Sequence, residues 1–150
     1  MSYRKKFRVT DLRRSDSFAE SQGPVLAHYL KRVLKQAKKF QKAGSSERLH
    51  SLRIALRRFR YALELYATEF KPKKFKAMYE LAIRLQNTLG DRRDIDVMHE
   101  RLLSLYRNGE AELPALISAD IEQSKALLNT QIGQTLAEFT RNQQLRKLLD

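Results

Sequence analysis

Within eleven residues the chain carries one histidine and four arginines: His50, Arg53, Arg57, Arg58 and Arg60. At about 100° per residue, a helix places His50, Arg53, Arg57 and Arg60 within about 80° of arc and along about 15 Å of axis. Arginine forks grip phosphate oxygens bidentately, and an imidazole among them adds a further hydrogen bond. The chemistry offered by such a stripe is the holding of a phosphate-rich anion. A second set stands upstream. Lys31, Lys35, Lys38, Lys39 and Lys42 share about 100° of a helix, with Leu26, Leu30, Val33, Leu34, Ala37 and Phe40 filling much of the other side. Lysines add mobile point charge, and the two sets together suit a polymer of phosphates better than a single small ligand.

These stripes have a defined direction only if their segments are helical, and the breakers of the chain say where helices begin and end. Ser15-Asp16-Ser17 is an N-cap cluster, and a helical pattern follows from Phe18 to Ala43, with Gly23-Pro24 either kinking it or marking its start. Gly44-Ser45-Ser46 stops that helix and caps a second over about 47–70, which Lys71-Pro72 ends. A third is expected over 73–89, with Gly90 as its natural stop, and a fourth over 92–107, closed by Asn108-Gly109. Pro114 opens a long fifth that reaches toward Leu149. No segment alternates with the period of a strand. The fold class is therefore all-α, an antiparallel bundle of about five helices joined by short turns. Residues 1–16 read as a basic N-terminal arm and 17–150 as one helical domain.

Of the 150 residues, 30 are Lys or Arg and 17 are Asp or Glu, a formal charge of +13. Residues 31–60 hold eleven of the cations against a single acid, Glu47. A compact domain so charged repels itself unless an anionic partner neutralises part of the field. The absence of cysteine excludes disulfides, thiol catalysis and cysteine zinc sites, and fits a reducing compartment. No run approaches the roughly 20 apolar residues of a spanning helix, and the N-terminus has no apolar core of a signal peptide, so no membrane partner is expected.

Leu52, Leu56, Phe59, Leu63 and Tyr66 lie opposite the arginine stripe, as core residues should, whereas Ile54, Tyr61 and Leu65 flank it. Such edging points to a groove between helices. The bland alternative is that Asp91, Asp94, Asp96 and Glu100 pair with the arginines and lock the bundle. Tyr29, Tyr61 and Tyr79 are stacking platforms for bases if exposed, and bundle residues if half-buried. Asp96 and His99, with Asp94, have a spacing that allows a metal, but no second histidine clusters with them. His50 is a conceivable phosphoryl acceptor, yet no phosphate-binding glycine loop, nucleophile elbow or zinc-protease motif is present. No enzyme activity, metal or cofactor is expected. Nucleic-acid binding through phosphates is the serious rival, although no base-reading module is recognisable.

The run from His50 to Arg60 resembles the HxxRxxxRRxR signature of the CHAD domain, the conserved histidine α-helical domain. Leu89-Gly90-Asp91-Arg92-Arg93-Asp94-Ile95-Asp96-Val97 is similar to the family's second landmark, LGxxRDxDV. The resemblance covers about residues 9–108. It implies an all-helical, non-catalytic domain that binds inorganic polyphosphate along a basic groove, here between the first two helices, in the cytoplasm or at polyphosphate granules. Carried over, the binding residues are His50, Arg53, Arg57, Arg58 and Arg60, joined by Lys31, Lys35, Lys38, Lys39 and Lys42 through their shared helix face. Arg93 matches the second motif, with a structural pairing to Asp94 or Asp96 as its other reading. A typical member looks like two related helical halves, and this chain has residues for one. The resemblance thus implies a half-CHAD-like bundle and a homodimer that rebuilds the whole.

Overall fold

The computed structural model describes Val9 and residues 11–150. The basic arm read over residues 1–16 lies mostly outside the described residues. Five α-helices follow, with no strand among the described residues: α1 (Phe18–Lys42), α2 (Ser46–Leu65), α3 (Pro72–Asn108), α4 (Ala115–Arg141) and the short α5 (Gln143–Lys147). The fold is the all-α bundle expected from the sequence, with boundaries that differ where local breaker residues are outvoted by packing.

The start of α1 is set by a capping box. The Ser17 hydroxyl accepts from the Glu20 amide at 3.2 Å, and Glu20 accepts from the Ser17 amide at 2.7 Å. Pro24 sits inside this helix rather than opening it, at the cost of one backbone bond on the solvent-facing first turns. A three-residue link, Ala43 to Ser45, returns the chain antiparallel, and Ser45 caps α2 by accepting from the Arg48 amide at 3.2 Å. Helix α2 ends at Leu65, earlier than the expected Phe70, and a 3-10 turn over Ala67–Glu69 carries the chain into α3.

The largest departure is α3. The two helices expected over 73–89 and 92–107 are one helix of 37 residues. Gly90 does not stop it, because a helical glycine costs only about 1 kcal/mol relative to alanine. Leu89, Arg92 and Asp96, all buried, hold both sides of that position in helical register. The fifth expected helix is divided instead. Asn142 is extended, and its side chain accepts from the Leu145 amide at 3.0 Å, ending α4 and capping α5.

The core joins Leu26, Leu30, Val33, Ala37 and Phe40 of α1 to Leu52, Leu56, Phe59 and Leu63 of α2. Met78, Leu81, Leu85 and Leu89 of α3 and Ile132, Leu136 and Phe139 of α4 complete it. Helix α1 packs mainly on α2, α2 on α3, and α3 on α4, as short antiparallel links dictate. At 1.5 Å per residue, α3 is about 55 Å long and α2 about 30 Å. The last twelve residues of α3, from Val97, bury nothing in the core and run beyond the start of α2 beside the first turns of α4. No helix among the described residues is long and apolar enough to cross a membrane.

Candidate anion-binding surface

On α1, Lys31, Lys35, Lys38 and Lys42 are exposed and Lys39 is half-buried, all opposite the buried face. On α2, His50, Arg57 and Arg58 are exposed, while Arg53 and Arg60 are half-buried. Both sets therefore occupy the outer side of the α1–α2 hairpin. They do not converge on one slot, because the arginines of α2 fall on different flanks of that helix.

Arg60 leans toward α3. Its Nε lies 3.3 Å from Glu64 Oε1, its guanidinium stacks 5.0 Å over the Tyr61 ring, and Glu64 accepts from the Tyr79 hydroxyl at 2.7 Å. That hydrogen bond to Glu64 raises the Tyr79 phenol above its ordinary value. Arg53, about two turns earlier on the same flank, is at about 300° when His50 is placed at zero, against 280° for Arg60. Arg58 is at about 80°, on the flank that faces α1. There it lines a groove of about 220 Å³ with Tyr29, Arg32, Gln36, Ser51 and Ile54. His50 and Arg57 stand between the two flanks, on the crest of α2.

A second recess of about 220 Å³ adjoins the first through Arg32 and is walled by Asp11, His28, Lys31 and Lys35. Of the eleven residues expected to bind, Arg58 lines the first recess and Lys31 and Lys35 line the second. Lys38, Lys39 and Lys42 extend the same helix toward the start of α2. Two residues outside the stripes read from the sequence belong to this surface, Arg32 and His28. Arg32 follows Lys31 by one residue, which rotates it about 100° off the lysine stripe and onto the α2 side. Burial, followed by the charges of Arg32 and Lys31, holds the His28 imidazole below its usual range. Its Nε2 is enclosed with no hydrogen-bond partner among the described residues.

Glu47 is exposed, and among the described residues the ion pair made by the 31–60 segment is Arg60 with Glu64. Arg32 and Arg58 have further interactions of their own. The remaining eight cations, including Arg53, Arg57 and all five lysines, make no ion pair with a described residue. Of the acids of the second motif, Asp91 and Asp94 are exposed and make no ion pair with a described residue, and Asp96 is engaged elsewhere. Asp96 is buried and bonded to Arg92, whose Nε also donates to Asn129 Oδ1 at 3.1 Å. Lys125 of α4 lies 3.7 Å from Asp96 Oδ1 and 2.9 Å from His99 Nδ1. Burial alone would raise the Asp96 carboxyl. Arg92, the nearby Ser46 hydroxyl and Lys125 outweigh it and hold the group below the usual carboxylate range.

In this second motif the buried arginine is thus Arg92, not Arg93, which is half-buried with no ion pair among the described residues. Asp96 and His99 face Arg92 and Lys125, and no group of three or more His, Asp or Glu among the described residues is placed to hold a metal ion. The motif works as a polar knot that ties α3 to α4 beside the start of α2.

Comparison with curated proteins and with solved structures gave no match. A family model described as "CHAD domain" matches residues 5–103, two thirds of the chain, including both the arginine stripe and the segment around the knot. CHAD domains are linked in general with polyphosphate binding and are generally non-catalytic. With that match over most of its length, the chain belongs to the CHAD-domain family.

Proposed function

We propose that this protein is a non-catalytic binding module for inorganic polyphosphate, which lies over the outer faces of α1 and α2. The observation that carries the proposal is the set of eight cations on this hairpin that have no carboxylate partner among the described residues. Cations held this close are stabilised by a bound polyanion that contributes the missing negative charge. In this reading Arg53, Arg57, Arg58 and Arg60 grip phosphate oxygens and His50 adds a hydrogen bond. Lys31, Lys35, Lys38, Lys39 and Lys42 supply the field that draws the polymer in, and Arg93 lies nearer the knot. The protein then works where polyphosphate is found, in the cytoplasm or at its granules.

Sequence-independent contact with nucleic acid would use the same charges, so competition separates the two. Polyphosphate is expected to displace a fluorescent DNA duplex at far lower phosphate concentration than DNA displaces polyphosphate. Replacing Arg53 and Arg57 together by alanine is expected to abolish long-chain polyphosphate binding with helix content intact. Unchanged affinity in that variant, or preference for DNA, overturns the proposal.

A further inference from the structure

The end of α3 that runs past α2 presents an outward face with nothing among the described residues packed on it. Asp94, Met98, Arg101 and Leu105 follow one another at intervals of four, three and four, which places them within about 60° of arc. Val97 and Leu102 flank them. Met98 is 44 % exposed and Leu105 68 %. Asp94, Val97, Met98, Arg101 and Leu102 surround a shallow recess of about 450 Å³ that no other helix among the described residues enters. Asp94 and Arg101 are exposed, and neither makes an ion pair with a described residue.

This face is complementary to itself. Asp94 and Arg101 are opposite in charge and lie on the same side of the helix, about 10.5 Å apart along its axis. A two-fold axis passing midway between them falls between Val97 and Met98. About that axis an antiparallel copy sets Asp94 against the second copy's Arg101, and the reverse pair forms by symmetry. The same operation lays Val97 against Met98 and brings Leu105 over Gly90. A Cβ built on Gly90 meets nothing within 4 Å among the described residues. Its glycine therefore has no internal steric reason, and a close approach by another helix supplies one. The location also suits the charge of the chain. Residues 91–120 hold seven acids against four bases, so two chains of +13 approach here with the least repulsion.

We infer that two copies of this chain associate antiparallel through the outer face of α3, with Val97, Met98, Leu102 and Leu105 as the apolar contact and the paired Asp94 and Arg101 as its register. The apolar residues supply most of the association, since exposed ion pairs contribute little by themselves and act mainly on specificity. The contact is isologous and closed, so it stops at two copies. It uses none of the residues of the lysine and arginine stripes and does not rest on the polyphosphate reading.

Sedimentation velocity on the polyanion-free chain over micromolar concentrations tests it. The wild type is expected to approach twice the monomer mass. Asp94→Arg sets arginine against arginine twice and Arg101→Asp sets acid against acid, and each is expected to weaken association at least about tenfold. An equimolar mixture of the two variants places every arginine opposite an acid, so it is expected to restore the dimer. Far-UV circular dichroism confirms that each variant is folded, and the restoration itself excludes unfolding as the cause of the loss. A wild type that stays monomeric overturns the inference. So does a single variant that still dimerises like the wild type, or a mixture that fails to recover.

Discussion

Asp96→Ala is the perturbation that most directly probes how the fold holds its basic hairpin in place. The Arg92 and Asp96 side chains are 6 % and 4 % exposed and bonded to each other. Removing the carboxylate leaves a buried guanidinium with only the Asn129 carbonyl as partner, a loss that costs about 3–5 kcal/mol. For a domain of this size each kcal/mol moves the melting temperature by about 2–4 °C, so a fall of roughly 6–20 °C is expected. Replacing both partners by apolar residues, Arg92→Met with Asp96→Leu, removes charge and counter-charge together and is expected to recover most of that stability. Urea melts followed by circular dichroism measure both. Because the Ser46 hydroxyl approaches Asp96, the single variant is also expected to speed hydrogen exchange in the first turn of α2, next to His50. The pH dependence has a definite sign. Asp96 has its carboxyl lowered by the fold, so its contribution is complete above the ordinary carboxylate value and is lost as pH falls through the lowered one. The wild type should therefore lose more stability in acid than the doubly apolar variant. A cost below about 1 kcal/mol for Asp96→Ala would mean that Arg92 turns out to water, and would refute the knot as a fixed element.

His28 gives a spectroscopic reporter of the proposed anion site. Its imidazole, held low by burial and by Arg32 and Lys31, is expected to titrate below about 6.5 in the free protein and to move upward when polyphosphate offsets those charges. Proton NMR of the ring checks both, and titration at or above the ordinary value in the free protein would contradict the enclosure described. Since the unfolded chain takes up this proton at higher pH, His28 is expected to lower stability as pH drops through about 6.5. Gly133 lies inside α4 with nothing within 4 Å of a Cβ built on it. Gly133→Ala is expected to stabilise by about 0.5–1 kcal/mol through helix propensity and a less flexible unfolded chain, raising the melting temperature by about 1–4 °C. A lower melting temperature would show that the recess Gly133 lines with Phe40, Gln41 and Asn129 is needed open.

What the sequence made legible was the angular position of each residue around its own helix. Leu26, Leu30, Val33, Ala37 and Phe40 were expected inside and are buried, and Leu52, Leu56, Phe59, Leu63 and Tyr66 likewise. Ser17 and Ser45 were legible as starts because a capping hydroxyl acts within one turn. Gly90 misled because its reading was local. A glycine is permissive, and only the pairing of Arg92 with Asp96 and Asn129 across to α4 shows that the helix is held straight through it. The same long-range contact explains why Arg92 was missed in favour of its neighbour. A buried arginine and an exposed one differ in sequence only by about 100° of rotation, and the partner that decides between them is 37 residues away.

Rotation around a helix does not say which neighbour lies on each flank, and this changes the shape of the proposed site. Arg58 faces the α1 side, whereas Arg53 and Arg60 face the α3 side, so a ligand confined to the cleft between α1 and α2 meets Arg58, Arg32 and little of the signature. To touch both flanks, an anion must cross the crest of α2, where His50 and Arg57 are exposed. Only an extended, flexible polymer with charge at every unit satisfies cations distributed in that way; a compact phosphate occupies one flank and leaves the other unmet. The stripe that looked like the wall of a slot is better described as a saddle over α2, with the lysines of α1 on one side of it. That geometry favours a long polyanion over a small phosphorylated ligand.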